Sequence, residues 1–377
     1  MIGKVGKPQF YSNRDFKHGT SEKVGVLLVN LGTPDSPTPR ALKRYLKEFL
    51  SDPRVVEIPR VLWWPILNLI ILNIRPKKSA EKYLSVWTED GSPLLVNSKL
   101  QAKGLKNLFS ERDNCQKNII VELAMRYGNP SIESVLEKMA QDNVGKLVVL
   151  PLYPQFSAST TATVFDKVFA KLSKFRNPPA VRLIKSYHDQ SAYVQAVAKK
   201  VAEFWNYNGR PSHLLFSFHG VPIRSLYEGD PYHCQCQKTA RLVADELNLK
   251  EGEWTISFQS RFGKAEWLKP YTTATIQKLA KEDGVKKLDV VCPGFLSDCL
   301  ETLEEIDMEA REDFLDAGGE NFRYIPCLNG SSQAVEMLAE IAIDEMASWA
   351  TGGGRKEPDA NELTFQKHRA TALGAKN

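Results

Sequence analysis

The stretch VGVLLVN, residues 24–30, is the first of eight short runs rich in β-forming residues. Helical patterns, such as SIESVLEKMAQD at 131–142, separate most of these runs. Alternating strands and helices are typical of parallel α/β architecture. The other seven runs are VELAMRYG (121–128), KLVVLPLYP (146–154), VRLIKSYH (181–188), HLLFSFHG (213–220), WTISFQS (254–260), KLDVVCPGF (287–295) and FRYIPCLN (322–329). Because four runs lie in each half, the sequence predicts two similar doubly wound, Rossmann-like domains with parallel four-stranded sheets and a cleft between them.

The composition is that of a globular protein. The chain has 377 residues, of which 42% are hydrophobic and 25% charged, so it is long enough for two domains with a substantial core. Its net charge of +5 comes from scattered Lys and Arg, which gives no indication of a nucleic-acid partner. Residues 1–23 mix Lys, Arg, Asp and Gly without an apolar core, so we expect no signal peptide and a cytoplasmic protein.

These patterns divide the chain into four parts. We predict an N-terminal extension (1–23), a first domain (24–180), a second domain (181–350) and a C-terminal tail (351–377). The tail is rich in Gly and charged residues and poor in large apolar ones, so we predict that it is disordered.

Polar and aromatic residues follow the predicted strands where the chain leaves each sheet. Ligands in open α/β folds bind outside the carboxyl ends of strands, so these side chains should converge on one crevice. They are Asn30, Arg126, Tyr127, Tyr153, His188, His219 and Asp298. The first turn reads NLGTPDSP, and the chain has neither G-x-G-x-x-G there nor a P-loop, so neither a nicotinamide dinucleotide nor a nucleoside triphosphate is indicated.

Three strand ends carry groups suited to chemistry or to anion binding. His219 is followed by Gly220, and a neutral imidazole there could accept a proton near pH 7 or bind a metal. In LPLYPQFSASTT the hydroxyls from Ser157 onward begin a helix and could hold a carboxylate. Past another strand, Arg261 could bind an acid and Trp267 could stack on a flat ring. Asp230 is placed to cap the helix that follows it.

The acidic helix, residues 298–316, begins DCLETLEEIDMEAREDF. At about 100° per residue its carboxylates fall on one face and its apolar residues on the other. An ordinary solvated face is one explanation, but the acidic row has no Lys or Arg at i+3 or i+4 to relieve repulsion. Oxygen ligands hold divalent ions exchangeably, so the row could also be a metal path.

The apolar lip, residues 56–76, departs from the alternating pattern. It reads VEIPRVLWWPILNLIILNIRP, is interrupted by Pro65, Asn68 and Asn73, and is too short to span a bilayer. A buried core helix would look similar. The alternative is an exposed apolar surface that holds a large flat ligand or rests on a membrane.

The ordered motifs resemble the ferrochelatase family, which inserts ferrous iron into protoporphyrin IX in the last step of haem synthesis. The resemblance rests on SFHGVPIR (217–224), EGDPYHCQC (228–236), FQSRFGKAEWLKPYT (258–272), CPGFLSDCLETLEEID (292–307) and YIPCLN (324–329). NLGTPDSP, EDGSPLL, AMRYGNPS and LPLYPQFSAST extend it through the first half, so that it covers residues 24–345. It implies a chelatase-type fold with the active site in the cleft between the domains, and a lyase reaction.

The resemblance also implies roles for individual residues. His219 and Glu301 match the two central catalytic groups, on opposite sides of the porphyrin, and both are candidate metal ligands. Further candidate metal ligands are Glu305, Glu309, Asp298 and Tyr153. Candidate substrate-binding residues are Arg126, Tyr83, Ser92, Trp267, Leu28 and Ser157. The lip matches the family's apolar surface, which suggests peripheral contact with the inner membrane.

No resident cofactor is implied, and Fe²⁺ is a substrate. Relatives with a [2Fe-2S] cluster carry a cysteine where this chain has Ala158 and a cysteine-rich C-terminal extension that this chain lacks, so we expect no cluster. Some bacterial relatives place cluster ligands elsewhere in the chain, so Cys234 and Cys236 remain candidate cluster ligands. Two incidental reduced thiols explain that pair more simply. Cys299 stands where some members have His.

Two other functions are compatible with the sequence. One is a related chelatase acting on a more acidic tetrapyrrole, although an apolar lip favours a lipophilic porphyrin. The other is a noncatalytic porphyrin or haem carrier, which would need no acidic row leading to its centre.

Overall fold

The computed structural model describes residues 10–13, 16–111, 119–261, 263, 265–349 and 358–375. It contains two four-stranded sheets in which all paired strands are parallel, as predicted. The first sheet has the order β2-β1-β3-β4, with strands β1 Lys23–Thr33, β2 Ile119–Gly128, β3 Val144–Pro151 and β4 Ala180–Leu183. The second has the order β6-β5-β7-β8, with strands β5 His213–His219, β6 Trp254–Gln259, β7 Lys287–Val291 and β8 Asn321–Ile325.

All eight predicted strands are present, and the two sheets have the same topology. In each sheet the first strand in sequence lies between the second and the third, so the two domains repeat one doubly wound plan. β1 and β5 are buried almost throughout because helices cover both faces, which explains their continuous apolar sequences. The parallel arrangement brings the carboxyl ends of neighbouring strands to one edge of each sheet.

Helices connect the strands. In the first half they are α1 Pro39–Leu50, α2 Arg60–Pro65, α3 Leu72–Val86, α4 Pro93–Glu111, α5 Ile132–Gln141 and α6 Thr163–Leu172. In the second half they are α7 Ser191–Asn208, α8 Ile223–Tyr227, α9 Tyr232–Glu246, α10 Thr272–Lys281, α11 Leu300–Thr302, α12 Arg311–Asp316, α13 Ser332–Met346 and α14 Ala360–Ala372. Hydroxyl side chains of Thr38, Ser131 and Ser331 cap the starts of α1, α5 and α13.

Three segments are π-helical rather than α-helical. They are Ile66–Ile71 in the lip, Ala158–Ala162 after β3 and Leu303–Ala310 in the acidic helix. The prediction of a regular α-helix over 298–316 is therefore wrong, because the π-helical segment Leu303–Ala310, with its wider turn, separates α11 from α12.

The lip has one buried and one exposed face. Trp63 and Leu67 are buried with Leu50 and Leu72, and the indole of Trp63 donates to the carbonyl of Leu50 at 2.7 Å. Val56 and Ile71 pack partly against this cluster, but most of the other large side chains are exposed, so the lip is not a buried core helix. No helix in the described part of the chain has the length and apolar character needed to cross a bilayer.

The tail differs from its prediction. Residues 360–372 form α14, which begins at a capping box between Asp359 and Glu362, so disorder is the wrong prediction for that stretch. The helix lies against the N-terminal extension, where a Cβ on Gly19 would be 2.3 Å from the carbonyl oxygen of Leu363. Residues 351–357 and 376–377 of the predicted tail lie outside the described residues.

Gln101 joins the two domains. It lies on α4, has no exposed surface, and donates from Nε2 to the carbonyls of Leu296 at 3.1 Å and Asn329 at 2.8 Å. Ser297 donates to its side-chain oxygen at 3.4 Å. Because both carbonyls belong to loops that follow strands of the second sheet, one amide sets the position of those loops relative to the first domain.

We expect Gln101→Leu, a change of similar side-chain volume, to lower stability by about 1–3 kcal/mol. It removes the side-chain donor to the carbonyl of Asn329 and one of the two donors to the carbonyl of Leu296, which keeps the backbone N–H of Asn329. The midpoint of urea unfolding measures the effect. Gln195→Leu, an exposed change on α7, is the matched control and should shift stability by less than about 0.5 kcal/mol. Equal midpoints for the two variants would contradict the assigned role of Gln101.

Candidate active site

His219 ends β5, and its backbone leads directly into a glycine. The imidazole is partly exposed, and Nδ1 lies 2.6 Å from the carbonyl oxygen of Gly220. A ring nitrogen that contacts a carbonyl oxygen carries the proton, so in the neutral ring Nε2 is left as the acceptor. The backbone of His219 is held as well, because the hydroxyl of Tyr232 donates to its carbonyl at 2.9 Å.

Gly220 allows a close approach that a larger residue would prevent. A Cβ there would lie 2.8 Å from the carbonyl oxygen of Gln259 and 3.3 Å from the ring of Trp267. Trp267 is buried and lies beside Gly220. Arg261 is exposed and lies over the ring of Tyr271, 4.7 Å from its centroid.

Gln259 links His219 to Glu301. The backbone N–H of Gly220 donates to the carbonyl of Gln259 at 2.7 Å, and the Gln259 side chain donates to the carbonyl of Glu301 at 2.6 Å. The end of β6 therefore connects the end of β5 to the first turn of the acidic helix. This brings the two predicted central groups to one edge of the second sheet.

Asp298 is buried at the turn that precedes Glu301. Its carboxylate accepts hydrogen bonds from the side chains of Thr302, Tyr324 and Asn329 and from the backbone N–H of Cys327. Its oxygens are thus engaged by the chain itself, which favours a positioning role for this residue. Asn329 was not singled out from the sequence, although its place after the last strand was a usable signal.

The acidic row places Glu305 in a buried polar setting. Ser260 donates to its carboxylate, and the amide of Gln259 lies 3.5 Å from the same oxygen. Burial, and then the charge of Glu301, raise the pKa of Glu305 to about 7, against the opposing effect of these donors. Glu305 therefore exchanges a proton near neutral pH.

A lysine from another element relieves the repulsion within the acidic helix. Lys82, on α3, lies 2.7 Å from Glu304 and 2.9 Å from Glu309. Within the helix itself, Arg311 pairs with Asp307, which lies off the predicted row. The sequence could not show that Lys82 pairs with these glutamates, because more than 200 positions separate it from them.

Two tyrosines from the first domain face Glu301. Burial and the charge of Glu301 raise the pKa of Tyr83 well above its usual value, and burial together with Tyr83 and Glu301 does the same for Tyr45. The Tyr45 hydroxyl donates to the carbonyl of Gly32 at 3.1 Å. Ser92 is buried beside this pair and accepts from Thr33 at 2.8 Å. Tyr45 was missed because it lies mid-helix on α1, in an ordinary amphipathic pattern.

The opposite wall of the first domain holds Tyr153 and Arg126. Burial raises the pKa of Tyr153, and its hydroxyl has no hydrogen-bond partner among the described residues. Arg126 is buried, forms an ion pair with Asp52 and donates from Nε to the carbonyl of Thr163 at 2.9 Å. Its donors are directed at the protein interior, with Asp52 as a partner that the sequence did not indicate.

Two predicted substrate-binding residues are engaged within the protein itself. Leu28 has no exposed surface, since it pairs with Leu123 and Leu150 in the middle of the first sheet, and this position gives no support to its predicted role. Ser157 begins a helix that does hold a carboxylate, as its sequence suggested, but the carboxylate is Asp230 of the same chain. Asp230 accepts from Ser157 at 3.2 Å and from the backbone N–H of Ala158 at 2.7 Å, and it also caps its own helix at Tyr232.

The predicted metal ligands are spread along the cleft. In the residues that the structure covers, no three His, Cys, Asp or Glu side chains are grouped so that they could hold one ion. The arrangement offers successive single carboxylates, from exposed Glu309 through Glu305 to Glu301.

Comparisons with known proteins agree with the resemblance. The family model described as Ferrochelatase matches residues 23–346. A protein named Ferrochelatase from Chromobacterium violaceum is 54% identical over 345 residues, which cover 92% of this chain and 94% of that protein. Another from Thioalkalivibrio sulfidiphilus is 52% identical over 366 residues, covering 97% of this chain and 98% of its own.

Among solved structures, SirB from Bacillus subtilis with Fe³⁺ has a TM-score of 0.53. The match covers 89% of this chain and all of SirB, at 14% sequence identity. At that identity the likeness shows the fold alone, and it supports the predicted two-domain chelatase-type arrangement.

The raised pKa of Glu305 predicts a pH-dependent effect of Glu305→Gln. In the unfolded chain this carboxyl ionises near 4.5, whereas in the folded protein it ionises near 7. The protonated carboxyl therefore stabilises the folded state in full below pH 4.5. This contribution to the free energy of unfolding, about 3 kcal/mol, is lost as the pH rises through 7. Because Gln does not ionise, the melting temperature of the variant relative to wild type should be higher at pH 8 than at pH 5.

Thermal unfolding at the two pH values measures this difference. Glu312→Gln, at an exposed position of the same helix, is the control. Its melting temperature should differ from that of wild type by the same amount at pH 5 and at pH 8. A Glu305→Gln effect that does not change between pH 5 and pH 8 would show that this carboxyl is not held neutral.

Proposed function

Since this chain belongs to the ferrochelatase family, we propose that its cleft performs metal insertion with His219 and Glu301 as the central groups. The reaction is the insertion of Fe²⁺ into protoporphyrin IX in haem synthesis. The relatives named Ferrochelatase align with this chain over nearly their whole length. None of the comparisons favours a carrier or a chelatase for another tetrapyrrole. The single observation that supports the residue roles is the link from His219 through Gln259 to Glu301.

Metal insertion must move two protons and one ion. Two pyrrole N–H protons leave as Fe²⁺ enters the ring, and the ion must exchange its water ligands for pyrrole nitrogens. His219 accepts one proton at Nε2, the nitrogen that its contact with Gly220 leaves as acceptor. Glu301 lies on the other side of the porphyrin and receives the second proton or delivers the ion.

The acidic row connects Glu301 to solvent. Carboxylate oxygens bind divalent ions exchangeably, so Glu309, Glu305 and Glu301 serve as successive temporary ligands. Glu305 has a pKa of about 7 and can take up or release a proton as the ion passes. Tyr83 and Tyr45 remain neutral phenols and close the first-domain side of this route.

The apolar lip supports a place for the protein on a membrane surface. Val61, Leu62 and Leu69 are 86%, 62% and 73% exposed, and Ile70 and Ile74 extend the same surface. Exposed patches of this kind bind lipid or apolar ligands. A cytoplasmic protein that rests on the inner membrane through its lip could exchange a poorly soluble porphyrin with the bilayer.

The positions of the cysteines support a reaction without an iron–sulfur cluster. Cys234 is exposed and Cys236 is fully buried, so the two thiols of the close pair point in different directions. Cys292, Cys299 and Cys327 are buried. Cys115 lies outside the described residues.

We expect Glu301→Gln to reduce turnover by roughly 100-fold or more, because it removes a carboxylate that accepts a proton or a metal ion. Anaerobic incubation with protoporphyrin IX and Fe²⁺, followed by the absorption bands of free and metallated porphyrin, measures turnover. Fluorescence titration should show porphyrin affinity within about threefold of wild type, since amide and carboxylate have nearly the same size.

Glu312→Gln is the matched control for charge on the acidic helix. It removes the same charge from an exposed position at the far end of the predicted row, past Glu309, so its turnover should equal that of wild type. Wild-type turnover in Glu301→Gln would refute the role of Glu301, and equal losses in both variants would point to a general field effect instead.

We expect the double substitution Leu62→Glu, Leu69→Glu to weaken binding to vesicles of phosphatidylethanolamine and phosphatidylglycerol by at least about tenfold. Each change removes an exposed leucine worth roughly 1.5–3 kcal/mol on burial and adds a charge that anionic lipid repels. Co-sedimentation with vesicles measures the binding.

Leu373→Glu is the control, because this leucine is similarly exposed, at 85%, but lies at the end of α14. It should bind vesicles as the wild type does. Failure of the wild-type protein to bind, or an equal loss in the control, would exclude the lip as a specific membrane contact.

A further inference from the structure

Lys82 lies where the lip's helix meets the acidic helix. α3 begins within the lip, continues to Lys82 and packs against the acidic helix. The Lys82 ammonium is 2.7 Å from Oε1 of Glu304 and 2.9 Å from Oε1 of Glu309. One side chain therefore ties α3, which begins in the lip, to Glu309 of the proposed metal route and to its neighbour Glu304.

The two carboxylates differ in their surroundings. The Glu309 side chain is 55% exposed, whereas that of Glu304 is only 10% exposed. The second oxygen of Glu304 is buried and has no hydrogen-bond donor among the described residues. A buried carboxylate oxygen without a donor is costly, so this oxygen favours any cation that can reach it.

A divalent cation and the ammonium would compete for this position. Hard divalent ions bind carboxylate oxygens at about 2.0–2.6 Å and gather several of them. An ion that bridged Glu304 and Glu309 would occupy the space now held by the ammonium and would repel its charge. The two occupants are therefore mutually exclusive.

We propose that Lys82 is a cationic latch that holds α3 against the acidic helix in the metal-free protein. A divalent ion that enters at Glu309 and Glu304 displaces the ammonium and releases α3, and with it the apolar lip. This inference rests on the metal route proposed for the acidic row. It adds Glu304 as a ligand and gives Lys82 a role as a positioning residue that couples metal arrival to the lip.

Such coupling is reciprocal. If the ion releases the latch, then loss of the latch must favour the ion by the same free energy. Removal of the Lys82 charge should therefore tighten cation binding even without porphyrin, whereas a purely structural lysine would leave cation affinity unchanged or lower it.

The test uses Mn²⁺ as probe and the full-length protein without porphyrin, with free Mn²⁺ followed by electron paramagnetic resonance. We expect Lys82→Met to bind Mn²⁺ roughly tenfold more tightly than wild type, since a nearby positive charge is lost in a partly buried setting. Lys82→Gln should behave in the same way and serves if the methionine variant folds poorly. Lys82→Arg keeps the charge and should stay within about threefold of wild type.

Two controls separate the latch from a general charge effect. Lys78→Met removes the same charge from an exposed position one turn earlier on α3, and its Mn²⁺ affinity should match wild type. In a Glu304→Gln background, Lys82→Met should tighten Mn²⁺ binding by a smaller factor than in the wild-type background, because only one of its two carboxylate partners, Glu309, remains. Equal Mn²⁺ affinities in wild type and Lys82→Met, an equal gain in Lys78→Met, or no Mn²⁺ binding by any variant would overturn the proposal.

Hydrogen exchange of the amides of 72–86 tests the movement. Mn²⁺ should speed exchange there in the wild type, and Lys82→Met should show the faster exchange without metal. Unchanged exchange in both would refute the release of α3. None of these readouts uses porphyrin, so a failure here is distinct from a failure of the Glu301 prediction.

Discussion

The carboxylate of Asp298 holds the second domain's side of the cleft in place. A buried anion is tolerated only where enough donors surround it, and here four donors from three segments converge on one side chain. Those donors fix the turn between β7 and the acidic helix, and the turn fixes Glu301. Asn329, which donates to Asp298, has a carbonyl that also accepts from Gln101, so the same loop is held from the first domain.

Around this fixed turn, charge is distributed unevenly. Fixed donors satisfy Asp298 and Asp230, while along the π-helical segment Glu304 and Glu309 share the ammonium of Lys82 and Glu305 is held by neutral donors. The immobile acids shape the cleft, and the incompletely paired acids are available to ions and protons. This division explains why a strongly acidic segment is compatible with a net basic chain.

The sheets were predictable because the strand signal is local. Each run of β-forming residues specifies its own strand, and the doubly wound order follows from the number of runs and the parallel connections. His219 could be identified because strand ends in this architecture face the cleft, whereas Glu301 was assigned through the family resemblance. Leu28 lies in the buried middle of its strand, and strand membership alone does not tell which residues lie beyond that middle. Lys82 and Asp230 act through contacts distant in sequence, and no local pattern reports which carboxylate meets which cation. The helix at 360–372 was missed because composition outweighed the capping box that begins it.

The wide turn of Leu303–Ala310 constrains the length of the chain as well as its composition. Loss of one residue there would return the segment to ordinary α-helical geometry and rotate everything beyond it by about 100°. Glu309 would then turn away from Glu301, and Phe314 would leave the core it now fills. A substitution in this segment alters one group, whereas a single-residue deletion would misalign the whole row. Insertions and deletions should therefore be excluded from these eight positions more strictly than most changes of side chain.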